Sequence, residues 1–448
     1  MRTKILVGWL TLLLCACSVQ AETYLVTNVH VVPMTRASEA QTLVLENQDV
    51  VIESGVIRQI GHTGTLTLPA EHTQISGAGK YLVPGLAEMH GHVPPLANFQ
   101  DFPERYVNDV LFLYLAGGVT TVRGMLGYPH QLQLANEIVA GERWGPTLYL
   151  AGPSFSGGSV DGVSDVRRRV RTQAEEGWKL LKVHPGLSLR EYQALSETAR
   201  VEKISFGGHV PEAVGVRHAI ILGSSTIDHL DGYMTALYGF TQPINEAEAR
   251  ALAQFSRAHG VAMVPTQALW ETIIGAGDVR ELETYEELQY MPKALRERWK
   301  AYAENPNSGY ATVETAALHA ENRRRLLEIF HQEGVEILLG TDAPQLYSVP
   351  GFSVHREFPH MLAAGMSPYE VLVSGTRAVS EHLLVEAGIE DRFGVVEVGA
   401  RADLLLLSEN PVESLDALKA MEGVFVQGRW LSKSMIDEKL SEIAAAYQ

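Results

Sequence analysis

The chain of 448 residues is 46% hydrophobic and holds 36 Lys and Arg against 53 Asp and Glu, a formal net charge of -17 at pH 7. Such a length exceeds a single small domain and allows a large catalytic core beside a smaller unit. The acidic balance excludes the basic face that a nucleic-acid binder needs and favours an enzyme acting on a small-molecule substrate, without indicating the reaction.

Arg2 and Lys4 precede the apolar run Ile5 to Leu14, and Val19-Gln20-Ala21 supplies the small residues a signal peptidase requires, so residues 1–21 read as an export signal. Leu14-Cys15-Ala16-Cys17 also reads as a lipobox with Cys17 acylated, although Cys15 is atypical at its position. Both readings place the mature protein outside the cytoplasm, either periplasmic or anchored to a membrane by lipid. Cys15 and Cys17 are the only cysteines, so cleavage after Ala21 leaves no thiol and no disulfide. No later apolar run reaches the roughly 20 uncharged residues needed to span a bilayer.

From residue 22 to 83 short β segments alternate with turn residues, and a hairpin turns at Ser54-Gly55. A matching set lies in 386–432, at Val395–Val398, Leu404–Leu407 and Val424–Trp430, so the two ends are expected to form one small β-sandwich, followed by a C-terminal helix over 433–448. Between them, in 84–385, strand and helix patterns alternate eight times. The strands are expected to end near His92, Arg123, Leu150, Val183, His209, His229, Val264 and Asp342. Eight such alternations predict an α/β fold, a closed and distorted (β/α)8 TIM barrel, with function collected at the C-terminal ends of its strands. The segment from Glu271 to about Thr315, which holds Trp299 and Asn305-Pro306-Asn307, is longer than a barrel connection needs and is expected to form a helical lid.

Six residues close apolar runs at those strand ends: His90, His92, Lys182, His209, His229 and Asp342. Alternate residues of a strand share a face, so His90 and His92 can reach one ion, and the six together make a ligand set for two adjacent divalent metals. The Pro84-Gly85-Leu86 turn before His90-Gly91-His92, the later Gly340-Thr341-Asp342-Ala343-Pro344 and the closing Gly399-Ala400-Arg401-Ala402-Asp403-Leu404 resemble the amidohydrolase superfamily. Within it the chain looks most like the imidazolonepropionase-related and prolidase-like branch, over about Tyr24 to Trp430. One departure is Gly375-Thr376-Arg377-Ala378, where many relatives carry Asn-Pro-Ala after the threonine.

The resemblance implies a carboxylated lysine bridging two metals, with zinc first among the candidates because neutral imidazole suits it. A lysine of ordinary pKa, about 10.4, is no ligand as it stands, so Lys182 needs carbon dioxide to become an anionic carbamate. On this reading His90, His92 and Asp342 hold the first ion, His209 and His229 the second, and a hydroxide between them attacks the scissile carbonyl while Asp342 moves the proton. Arg123, Tyr233, His355 and Arg356 are candidates to bind a substrate carboxylate or the developing oxyanion. The expected reaction is hydrolysis of an amide or peptide bond in a dipeptide or N-acyl amino acid. His209-Val210-Pro211-Glu212 resembles the His-x-x-Glu of mononuclear deaminases, which makes a one-metal deaminase or cyclic-amide hydrolase the alternative. A different class is an exported metal-binding protein without turnover. A homo-oligomer is left open.

Overall fold

The computed structural model describes residues 22–96, 102–275, 278–305 and 313–448, so the expected export signal and lipobox lie outside the described residues. Five strands open the fold: β1 (Thr23–Val31), β2 (Leu45–Glu53), β3 (Val56–His62), β4 (Thr73–Ser76) and β5 (Tyr81–Pro84). The β2–β3 hairpin turns at Ser54-Gly55, both left-handed at φ 53° and 79°, the conformation whose twist matches paired strands.

Seven parallel strands follow: β6 (Leu86–Gly91), β7 (Val119–Gly124), β8 (Thr147–Leu150), β9 (Leu180–Val183), β10 (Ser205–Gly208), β11 (Thr226–Asp228) and β12 (Ala262–Val264). Every residue of β7 and β9 is buried, as expected for barrel strands whose outer face is covered by helices and whose inner face meets the packed barrel interior. Two hydrogen-bonded sheets, β6-β7-β8 and β9-β10-β11-β12, are joined by bridges from Ala151 to Leu180 and from Phe155 to Val183. Met263 bridges to Ile337, and Met89 N donates to Leu339 O (2.8 Å), so residues 337–342 close the ring as its eighth staff. That segment is irregular because its amides are taken from outside a ladder: Leu339 N donates to Ser374 O, and Thr341 N to the Glu88 carboxylate. The result is the distorted β/α barrel that the alternation predicts.

The chain then returns through β13 (Leu404–Leu407), β14 (Met421–Val426) and β15 (Arg429–Ser432). β13 pairs antiparallel with β5, which lies parallel to β1, so both chain ends meet in one continuous eight-stranded sheet. β1 pairs with β4 along its first half and with β5 along its last. The inner residues of this sheet, among them Val26, Val50, Ile52, Leu404 and Phe425, form a core of their own. Arg401 locks sheet to barrel: Nε donates to Asp403 Oδ2 (2.7 Å), Nη1 to the Tyr149 hydroxyl and Nη2 to Thr121 Oγ1 (both 3.2 Å). A final helix, Lys433–Ala446, is capped by Ser432 and packs on β14, β15 and the helix Tyr106–Ala116. Among the described residues no helix is long and apolar enough to cross a membrane.

The long excursion after β12 is helical, with Gln267–Ile273, Val279–Leu282 and Lys293–Ala303 as α-helices. Trp299 packs against Tyr347, ring centroids 5.9 Å apart, and the Tyr347 hydroxyl donates to Glu283 (2.7 Å). Residues 276–277 and 306–312 of this segment lie outside the described residues.

Candidate metal centre

The six strand-end residues converge. Lys182 Nζ lies 3.0 Å from His90 Nε2, and His92 Nε2 lies 2.6 Å from Asp342 Oδ1. The other Asp342 oxygen is 3.7 Å from His229 Nε2, while Oδ1 is 3.8 Å from His90 Nε2. The ring of His229 sits 4.3 Å from that of His90 and 4.7 Å from that of His209. His90, His229 and Asp342 offer ligand atoms within 4.8 Å of one another, the spacing of a group that can hold a metal ion.

Three of the four imidazoles are turned by a neighbour that takes their other nitrogen. Asp228 Oδ2 lies 2.6 Å from His90 Nδ1, Asp231 Oδ2 2.5 Å from His209 Nδ1, and Thr266 Oγ1 2.7 Å from His229 Nδ1. Such partners fix the tautomer and aim the remaining lone pair. His229 Nε2 is buried with no hydrogen-bond partner, an expensive state for a polar atom and one that suits a metal ligand.

Backbone strain gathers here. His229, Thr266 and Asp342 are non-glycine residues in the left-handed region, at φ 64°, 48° and 63°, a cost that persists only where surrounding structure imposes it. Gly208, at φ 118°, lets Lys182 cross the neighbouring strand, since a Cβ there would come within 2.7 Å of Val183 O and 3.0 Å of Lys182 Cδ. Glu88, wholly buried, ties the first staff to the eighth: His90 N (2.9 Å) and Thr341 N (2.8 Å) donate to Oε1 and Thr341 Oγ1 (2.5 Å) to Oε2.

Burial sets the protonation states. It holds His90 and His229 well below the usual histidine range, with the Lys182 charge acting the same way, so both are neutral and able to ligate. Burial also lowers Lys182 to about 8 against the opposing pull of Asp228 and Asp342. Glu88 is pushed up to about 7, again by burial, against the three hydrogen bonds that lower it. His184, stacked on His209 at 5.1 Å, is lowered to about 2 by burial and then by Lys182.

Comparison with known proteins decides the family: residues 81–431 match the amidohydrolase family. The chain belongs to it. Ochratoxinase from Aspergillus niger is 22% identical, over 85% of this chain and 81% of that protein. Among solved structures, bottromycin amidohydrolase superposes with a TM-score of 0.72 at 24% identity, covering 95% of this chain and 90% of that one. A Xaa-Pro dipeptidase with methionine bound in its active site gives 0.67 at 19% identity, over 92% and 100% of the two chains. These likenesses carry the fold.

The four residues expected to bind substrate in this amidohydrolase lie elsewhere. Arg123 is wholly buried inside the barrel, where Nη2 donates to Glu386 Oε1 (2.7 Å) and Thr226 Oγ1 (2.9 Å) and Nη1 to Met89 O (3.1 Å). Tyr233 is a core residue with its hydroxyl 2.6 Å from Ser256 Oγ and its ring against Phe330. His355 and Arg356 ride the helix Val354–Ala363 away from the cluster and line a separate cavity of about 580 Å3 against the C-terminal helix. There Arg356 is paired with Glu287 and lies 3.6 Å over the Tyr285 ring. Position after a strand end was the wrong guide, because these side chains point into the barrel or down its outside. Reading the strand ends also passes over Glu88, Asp228, Asp231 and Thr266. The available signal was proximity: three of them lie within two residues of a histidine in the cluster.

Proposed function

We propose that this amidohydrolase cleaves the C–N bond of a small amide or peptide, such as a dipeptide or N-acyl amino acid, at a pair of divalent ions. The observation that carries the reading is the convergence of four imidazoles, a buried amine and a carboxylate around the partnerless His229 Nε2. His90, His92 and Asp342 would hold one ion and His209 and His229 the other, with Lys182 between them as its carbamate. The depression of the Lys182 pKa to about 8 supports this, since only the neutral amine takes up carbon dioxide. The bound ions, zinc by the preference of imidazole, would supply an attacking water of lowered pKa and polarise the scissile carbonyl.

The chain's own groups supply the rest. Asp342, held in a left-handed conformation with its carboxylate facing His90, His92 and His229, takes the proton of the attacking water and delivers it to the leaving amine. Glu88, Asp228, Asp231 and Thr266 hold the site in register. The names of similar proteins, an amidohydrolase and a dipeptidase, point the same way. Glu212 is exposed and outside the group spaced for a metal, which weighs against the deaminase alternative. Export, read from residues 1–21, is part of the same proposal.

A panel of dipeptides, N-acyl amino acids, lactones and aminated heterocycles tests the reaction. Amide hydrolysis abolished by a chelator and restored by zinc with bicarbonate is the expected result. Turnover of ring amines alone would favour the deaminase, and bound metal with no turnover of any substrate would favour a metal-binding protein.

A further inference from the structure

His184 stands at the candidate metal centre and takes no part in the steps assigned to Lys182 and Asp342. It follows Lys182 by two residues, and alternate residues of an extended chain share a face. The imidazole therefore lies on the same side of β9 as the amine, one step nearer the C-terminal end of the barrel. The backbone there is held on both flanks. His184 N donates to Phe155 O (2.8 Å) and Gly157 N to Pro185 O (3.1 Å), while on the other side His209 N donates to Val183 O (3.1 Å). Gly157 and Gly186 lie in close contact, since a Cβ at Gly157 would come within 2.4 Å of Gly186 O. The ring is thus presented from a fixed stretch of chain.

Its surroundings set it apart from the other histidines. The ring stacks on that of His209, with centroids 5.1 Å apart and planes at 26°. The titratable groups that act on it electrostatically, Lys182, His209 and His92, all belong to the cluster. His90, His209 and His229 each have one ring nitrogen taken by Asp228, Asp231 or Thr266. Among the described residues neither ring nitrogen of His184 makes a hydrogen bond. His184 also stands outside the group whose atoms are spaced for a metal. Stacking needs only a flat ring. A half-buried imidazole with an unused polar edge, fixed beside the reacting groups, suits a hydrogen bond to a bound molecule.

We infer, resting on the amide-hydrolase reading, that His184 is a further catalytic residue, donating a ring N–H to the oxygen of the scissile carbonyl. When water adds to the carbonyl carbon, a C–O bond forms, the water proton passes to Asp342 and the π pair of the C=O bond moves onto its oxygen. Negative charge collects on that oxygen only as the tetrahedral intermediate forms, so a donor placed there gains strength in the transition state. An imidazole carries at least one N–H whether neutral or charged, so the role does not depend on its protonation.

The test compares three variants. His184→Phe keeps a flat ring against His209 and loses the N–H, whereas His184→Asn and His184→Gln place an amide donor near one or other ring-nitrogen position. Each is loaded with zinc and bicarbonate and assayed with the amide that the parent turns over fastest. His184→Phe is expected to lower kcat about 100-fold with KM near that of the parent, and one of the amide variants to recover about tenfold of the loss. Elemental analysis should find parental zinc in all three. Calorimetry with the phosphonate analogue of the same amide, tetrahedral where the scissile carbon would be, reads the contact apart from turnover. Its binding to His184→Phe should weaken about 100-fold while the affinity for the product amino acid stays unchanged. A kcat in His184→Phe within about threefold of the parent, an equal loss in all three variants, or loss of zinc from any of them overturns the inference. If the parent hydrolyses no amide, the proposed function fails on its own account. Binding of N-(methylphosphonyl)leucine then decides His184, with equal or absent binding in parent and His184→Phe counting against it.

Discussion

The interior of this barrel and its mouth are both crowded with buried polar groups, yet they are built on opposite principles. In the interior, charges are paired. Arg123 is held by Glu386, Thr226 and a backbone carbonyl, and His382 stands between Glu336 (3.0 Å) and Glu386 (3.7 Å). At the mouth, burial holds His90 and His229 well below the usual histidine range, His229 Nε2 has no partner, and non-glycine residues that include His229, Thr266 and Asp342 are left-handed. Ion pairs mark the part that holds the fold, and buried histidines held below their usual range on left-handed backbone mark the part that acts. Asp228 is the joint between them, with Oδ2 2.6 Å from His90 Nδ1 and 3.9 Å from Arg123 Nη1.

The comparison breaks most visibly at the mouth. Asp342→Asn keeps the shape of the side chain and removes the base, so steady-state turnover should fall by about 10²–10⁴-fold while the melting temperature of the metal-free protein stays close to that of the parent. Unchanged turnover would remove Asp342 from the mechanism. Arg123→Met should do the reverse in kind. Removing one partner of a buried pair typically costs about 3–5 kcal/mol, so denaturant unfolding should show a large loss of stability, and an Arg123→Met protein as stable as the parent would end the structural reading of this residue.

Between the extremes lie the groups that orient ligands. Glu88→Gln retains the size of the side chain and loses either the acceptor of Thr341 Oγ1 or the one shared by His90 N and Thr341 N, and metal affinity measured by competition with a chelator should weaken by about 10–100-fold. The smallest effect concerns pH and the interior network. Burial lowers the His382 pKa, but Glu336 and Glu386 outweigh it and raise it to about 9, above the roughly 6.5 of an unfolded chain. Its stabilising contribution is therefore complete below about pH 6.5 and is lost as pH rises through about 9. His382→Gln should flatten that decline in thermal stability, and an identical pH profile for variant and parent would contradict it.

Much of this contrast was legible in the sequence because apolar runs and the residues that close them are local. The staves end where the β/α alternation places them, and His90, His92, Lys182, His209, His229 and Asp342 meet as their positions at strand ends suggest. The joining of both chain ends was also visible, although pattern alone could not show that β5 and β13 fuse them into one sheet. What stayed hidden depends on direction within the barrel. Arg123 follows the apolar run of β7 as His229 follows that of β11, but its side chain runs inward to Thr226, the first residue of β11. Glu88 and Asp228 sit within apolar runs, where a carboxylate has no periodicity to betray its partner. His355 and Arg356 follow the eighth staff in sequence but belong to a helix on the outside.

Lys182 is the residue on which a paired-metal site depends. Counting bound metal by elemental analysis, for the parent and Lys182→Ala, each prepared with zinc in the presence and absence of bicarbonate, tests it directly. About two ions per chain in the parent with bicarbonate, falling to one or fewer in the variant whatever the bicarbonate, is the predicted result. A single tightly bound ion that is indifferent to both the lysine and bicarbonate would contradict the paired-metal site.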